Sequence, residues 1–246
     1  MNNCSSISES RMHQPAFDYM KVKGALRQTI ISCYRGRHAD PDIYKNTLDC
    51  FSAVLDAKIL GKDLESWIND VEKTRHTQKT LQNEVGNIHT KVLGTISGWH
   101  DMGVGKILDL ENSDKKIVAE LKNKHNTTKG NHKKDIYDDL AEVIDSRPGY
   151  TGYYVEILPK NLQRYDHPFS PPDNAKQGTK RPERPDIRII DGYSFYALVT
   201  GSATALLEFY EMFPSIIGDV LEEEFPSYRD RPLGDYSLHL FKKIFK

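Results

Sequence analysis

The run Ile117-Val118-Ala119-Glu120-Leu121-Lys122-Asn123-Lys124 constrains this chain more than any other segment. It reads as a buried strand that nevertheless carries a carboxylate and an ammonium. Side chains alternate along a strand, so Ile117, Ala119 and Leu121 share one face and Glu120 and Lys122 the other. Just upstream, Lys106-Ile107-Leu108-Asp109-Leu110 reads as a second short strand, joined by the polar turn Asn112-Ser113-Asp114-Lys115. Two carboxylates and one ammonium then meet on one side of a small sheet. Carboxylates that close repel one another unless a proton or a cation lies between them.

The chain of 246 residues is long enough to bury a core, and with 38% hydrophobic and 28% charged residues it has an ordinary globular composition. Its most apolar long stretch, Tyr196 to Phe213, is interrupted by Thr200, Gly201, Ser202, Thr204, Glu208 and Glu211, which excludes a membrane span. The first fifteen residues lack an apolar h-region and read as a loose tail. Cys4, Cys33 and Cys50 are odd in number and show no CxxC spacing, so neither disulfides nor zinc are expected, and a reducing cytoplasm fits. A net charge of −1 argues against a general nucleic-acid binder. Locally the balance is different. Lys115 to Lys134 holds seven lysines and a single acid, while Glu208 to Phe225 holds six acids and no Lys or Arg. Such asymmetry suggests one face for a polyanion and another turned away from it.

Helical spacing predicts amphipathic helices over Phe17–Tyr34 and Asp42–Leu60, the second with Leu48, Phe51, Val54, Leu55 and Ile59 inward. A third runs from Leu64 to about Arg75. The stripe Leu81, Val85, Ile88, Val92 and Ile96 predicts a fourth, ending near Gly98. After the two-stranded unit, 131–144 reads as helix, Tyr150–Leu158 as strand, and Pro159–Pro185, with six prolines, as a long surface loop. Ile187–Ile190 is a last strand and Ser194–Tyr210 a helix, followed by Phe213-Pro214 and a shorter helix. The fold class expected is α/β (α+β), a central mixed sheet flanked by helices. The domain plan is a tail (1–15), a helical N-terminal region (16–78) and a core (79–246) with a basic Pro-rich loop at 159–186.

Asp109, eleven positions on Glu120, then Lys122 form a D-x(n)-E-x-K arrangement. Chemically this suits phosphodiester hydrolysis. Mg²⁺, which takes hard oxygen ligands, would be held by Asp109, Glu120 and the Leu121 carbonyl. Lys122 would hold or help deprotonate the attacking water and offset charge on phosphorus. E-x-K alone is a common pattern. The competing reading is an edge strand whose Glu and Lys face solvent.

Asp109 with Glu120-Leu121-Lys122 resembles the catalytic motif of the PD-(D/E)XK nuclease superfamily. The run Ala119 to Thr127, Glu84-Val85-Gly86-Asn87-Ile88-His89, and Ile190 to Tyr196 with Val199-Thr200-Gly201 resemble the type II restriction endonucleases that cut GGNCC or related sites. The similarity spans about Glu84 to Pro214. It implies a restriction-endonuclease-like fold and Mg²⁺-dependent cleavage of double-stranded DNA by Asp109, Glu120 and Lys122, with Glu84 as a further helical candidate. No proline precedes Asp109; Leu108 stands there, which leaves Glu111 as a rival first acid.

Asn123, Lys124, His125, Asn126, Thr127, Thr128 and Lys129 continue out of the candidate strand and suit phosphate contacts, joined by His132 and Lys133. Arg181 and Arg184, with Arg188, Arg164 and Lys160 nearby, are candidates for reading guanine edges. His89 and His100 are expected to pack or hydrogen-bond, and Trp67 and Trp99 to be core. A symmetric site is best read by a homodimer. A restriction enzyme also needs a companion methyltransferase. Two rival functions are a non-cleaving DNA-binding protein on a nuclease-like fold and a nuclease selective for DNA structure, as in repair.

Overall fold

The computed structural model describes residues 14–40, 42–44, 48–103, 105–126, 130–173, 178–234 and 236–245. The N-terminal part is helical: α1 (Tyr19–His38), α2 (Cys50–Ile59), α3 (Leu64–Trp67), a π-helical turn (Ile68–Glu72), α4 (Lys73–Gly86) and α5 (Ile88–Leu93). Then come β1 (His100–Asp101), β2 (Leu110–Asn112), β3 (Ile117–Lys124), α6 (Gly130–Ser146) and β4 (Thr151–Leu158). The last part holds β5 (Asp166–Pro168), β6 (Pro172–Asp173), β7 (Thr179–Lys180), β8 (Ile187–Asp191), α7 (Gly192–Thr200), α8 (Ala205–Glu224) and α9 (Tyr236–Ile244).

Six strands form one mixed sheet in the order β1-β2-β3-β4-β8-β5. Strands β3, β4 and β8 are parallel; β1, β2 and β5 join antiparallel at the edges. The parallel strands need cover on both faces. On one face Ala119, Leu121, Val155 and Ile190 pack with α1, α5, α7 and α8; on the other Val118, Tyr154 and Ile187 pack with α6. This is the α/β architecture expected, and no described helix is long and apolar enough to cross a membrane. Helix α1 belongs to the main core through Val22, Leu26 and Ile30.

Several elements differ from the sequence expectation, each for a physical reason. The apolar stripe from Leu81 to Ile96 is split at Asn87, whose N–H closes the α4 C-terminus on Glu84 O at 3.2 Å. Helix α2 is shorter and packs inverted, with Ala53 and Ala57 buried near Trp67 and its large side chains in solvent. Residues 106–109 are not strand: pairing starts at Leu110, and Ile107 is exposed. The Pro-rich segment holds β5, β6 and β7 and is tied to α6 by the Tyr137 hydroxyl donating to Pro182 O at 2.7 Å. Helix α8 runs straight through Pro214, because Phe209 and Ile216 on either side are buried and their packing outweighs a helix-interior proline cost of about 3 kcal/mol. Helix α9 was not foreseen; it docks through the buried Phe241.

The charge asymmetry also resolves differently. Part of the α8 acidic run is engaged within the chain. Asp219 and Glu223 pair with Lys23 at 3.2 and 2.6 Å, and Arg27 binds Glu223 and Glu224, so the acidic run fastens α8 to α1. The lysines are no single patch either: Lys116 and Lys124 lie at opposite ends of β3, roughly 25 Å apart.

Candidate active site

Strand β2 pairs with β3 only from Leu110 onward, against Ala119. Beyond it, Asp109 takes over the edge of β3: its N–H donates to Ala119 O at 3.0 Å, and its Oδ2 accepts the Leu121 N–H at 2.7 Å. The N–H and C=O of one strand residue point to the same side. The Leu121 carbonyl therefore emerges on the edge that holds the Asp109 carboxylate. Glu120 and Lys122 share the opposite face of β3 from Leu121, as alternation requires, and Lys122 Nζ lies 2.5 Å from Glu120 Oε1.

The Asp109 and Glu120 carboxyls lie close enough for each to act on the other's ionisation. Burial, then the Asp109 charge, pushes the Glu120 carboxyl up to about 7 against the pull of Lys122. Burial raises Asp109 as well, against the Leu121 N–H and Lys122. Two buried carboxyls that cannot both ionise are what a divalent cation relieves. The donors on this edge, two carboxylates and a backbone carbonyl, are hard oxygens and fit such an ion. Among the described residues no cluster of three or more His, Cys, Asp or Glu offers an alternative site.

The edge opens into a cleft of about 530 Å³ between the sheet and the α4–α5 junction. Its walls include Asp109, Lys122, Asn123 and Lys124 on one side and Gln82, Asn83, Asn87 and Thr90 on the other. Glu84 is not on this lining; its charge acts on Cys33 of α1, where it helps raise the thiol behind burial. Glu111, the rival acid, turns to the α6 side. It accepts from Ser113 Oγ at 2.8 Å and pairs with Arg147 at 3.0 Å, which together outweigh burial and hold its carboxyl below the usual range.

The candidate DNA contacts divide. Asn123 and Lys124 reach the cleft, Asn126 and His132 are exposed, and the His125 N–H is spent on Leu158 O at 3.2 Å. Thr127, Thr128 and Lys129 lie outside the described residues. Lys133, Arg181 and Arg184 are instead committed within the protein. Lys133 pairs with the buried Glu156 at 2.6 Å and lies over the Tyr154 ring. Arg181 pairs with Asp138 at 2.5 Å, and Arg184 bridges Asp145 and Asp186 at 2.8 and 2.9 Å. Except for Asp186, two residues from Arg184, each carboxylate partner is distant in sequence, so the spacing of basic residues could not reveal those pairings. Arg188 is likewise held by Asp166 at 2.7 Å.

His89 hydrogen-bonds the Tyr196 hydroxyl at 2.8 Å, and burial lowers its imidazole to about 4, so it is neutral and structural, as expected. Trp67 and Trp99 are buried, also as expected. Sequence reasoning missed a charged row across the sheet. Strand register aligns Lys122 with Glu156 and Glu156 with Asp191, all at the C-terminal ends of parallel strands. The Tyr165 hydroxyl donates to Glu156 at 2.5 Å, and Asp191 caps α7 through the Ser194 N–H at 3.0 Å. It also missed Asn83 and Asn87, although Asn87 lies in the helical motif already singled out.

Comparison with known proteins bears on the chain as a whole. The family model described as Eco47II restriction endonuclease matches residues 21–222. The match therefore takes in α1 and the N-terminal helices, which motif resemblance alone had left out. The chain is 42% identical over 189 residues to the type II restriction enzyme Eco47II of Escherichia coli, covering 75% of this chain and 78% of that protein. It is 29% identical over 205 residues to the type II restriction enzyme Sau96I of Staphylococcus aureus, covering 82% and 76%. The chain belongs to the Eco47II restriction endonuclease family and is a site-specific deoxyribonuclease.

Proposed function

We propose that this enzyme cuts both strands of DNA at a short, roughly palindromic, G·C-rich site of the GGNCC type, with Mg²⁺ as its cation, and leaves 5′ phosphates. The observation that carries the reading is the convergence at one strand edge of the Asp109 carboxylate, bound to the Leu121 N–H, with the Glu120 carboxylate, bound to Lys122. Asp109, Glu120 and the Leu121 carbonyl would hold the ion. When bound, it supplies Lewis acidity to a phosphate oxygen and to the attacking water. Lys122, whose ammonium is partly open to solvent, orients that water and offsets charge on phosphorus. Water attacks in line, a new P–O bond forms as the P–O3′ bond breaks, the departing O3′ takes up a proton from solvent to become the 3′-hydroxyl, and the phosphate stays on O5′ of the downstream fragment. Asn123 and Lys124, on the cleft wall, fix the register of the strand through its phosphates.

Two subunits act together, each cutting one strand of the symmetric site. The enzyme works in the cytoplasm beside a methyltransferase that protects the host. The test is digestion of phage DNA with Mg²⁺, followed by sequencing of the fragment ends. Discrete fragments sharing one terminal motif support the proposal. Cleavage only at forks or junctions, or none in any divalent cation, overturns it.

A further inference from the structure

Helix α2 turns its small side chains to the protein and its large ones to solvent. Ala53 and Ala57 are 3% and 2% exposed, against 83% for Phe51, 64% for Leu55 and 72% for Ile59. Spaced four residues apart, these three form one stripe along the helix, widened by the exposed Val54. The four residues leave roughly 500 Å² uncovered, at the upper end of the largest apolar patch of a typical monomer and a substantial part of the ~800 Å² that each partner buries in a standard interface.

We propose that this stripe is the contact with a second copy of the chain, α2 against α2, antiparallel about a two-fold axis beside Leu55. A two-fold contact needs a self-complementary surface. Equal spacing on either side of Leu55 supplies one, since Phe51 of each copy then meets Ile59 of the other while the two Leu55 side chains meet at the axis. The surroundings suit a copy rather than a polyanion. The stripe is apolar except for the exposed Lys58 on its face, Asp56 is engaged by the Trp67 Nε1–H at 2.8 Å, and Lys62 is paired with Asp70 at 2.6 Å. The position suits two working sites as well. The α2–α3 hairpin leads into α4, and that helix runs roughly 20 Å before its last turn lines the cleft, so the contact leaves both clefts open.

This assignment places the subunit pairing of the proposed function, but it is measured without DNA or metal, so failure of one is distinct from failure of the other. The experiment is sedimentation velocity on the full chain at micromolar concentration. The unchanged protein is expected to be a dimer. Phe51→Glu with Ile59→Glu is expected to be a monomer, its dissociation constant raised roughly 100-fold or more. Leu55→Arg alone should act in the same direction. Met20→Glu, a charge at a 69% exposed position on α1, should leave the dimer intact. Thermal melting by circular dichroism reports that the variants keep their fold, as surface changes do. A dimer that survives in folded Phe51→Glu/Ile59→Glu, or an unchanged chain that sediments as a monomer, overturns the assignment.

Discussion

The Leu121 N–H donates to Asp109 Oδ2 at 2.7 Å across twelve residues of sequence. This one bond replaces the ladder that β2 fails to continue, and it brings the Asp109 carboxylate to the edge of the strand that carries Glu120 and Lys122. It also separates Asp109 from Glu111, which turns to Arg147. The consequences can be measured.

Lys122→Ala should lower cleavage by roughly 100-fold or more, the loss typical of removing one charge-stabilising donor. DNA binding in Ca²⁺, followed by gel shift, should persist. Cleavage at the unchanged rate would take Lys122 out of the reaction.

Asp109→Ala and Glu111→Ala distinguish the two acids. The first should abolish cutting and metal binding by titration calorimetry. The second should keep both while losing about 1 kcal/mol of stability with its partly exposed Arg147 partner. The reverse outcome would make Glu111 the ligand.

Protonation should follow the carboxyl pair. With metal withheld, the folded chain keeps a proton on Glu120 between its ordinary 4.5 and about 7, while the unfolded chain has lost it. Stability should therefore fall as pH rises through that window, by about 2–3 kcal/mol from this group. Urea melts at successive pH values read the slope. Metal displaces the same proton, so affinity should rise towards pH 7, with proton release visible in buffers of different ionisation enthalpy. A pH-independent affinity would show that Glu120 holds no proton for the metal to displace.

Gly192→Ala should fail to fold or lose several kcal/mol. A methyl group there would lie 2.6 Å from both Cα and O of Ile157, backbone atoms of the central strand that cannot yield. Thermal melting of the soluble protein checks this, and an unchanged Tm would contradict the close packing of α7 on β4.

Arg184→Ala should lower the melting temperature while leaving affinity for the specific site within about threefold, because its guanidinium is held by Asp145 and Asp186. Lys124→Ala should instead weaken DNA binding and reduce the salt slope by about one ion. Loss of specificity in Arg184→Ala would return that arginine to base reading.

Much of this was written in local pattern. Alternation along Ile117–Lys124 sets which side chains share a face, and so put Glu120 and Lys122 together, because strand periodicity needs no partner to be read. The core positions Ile88, Val92, Leu140 and Ile144 follow from helical spacing in the same way. Tertiary structure decided what depends on partners remote in sequence. It turned the large side chains of α2 outward, carried α8 through Pro214, engaged Arg181, Arg184 and Lys133 with carboxylates of other segments, and aligned Glu156 with Lys122 by register. Periodicity records that a face is apolar or charged. Which surface covers that face, and which ion pairs form, is a competition among all segments of the chain, settled only when they pack.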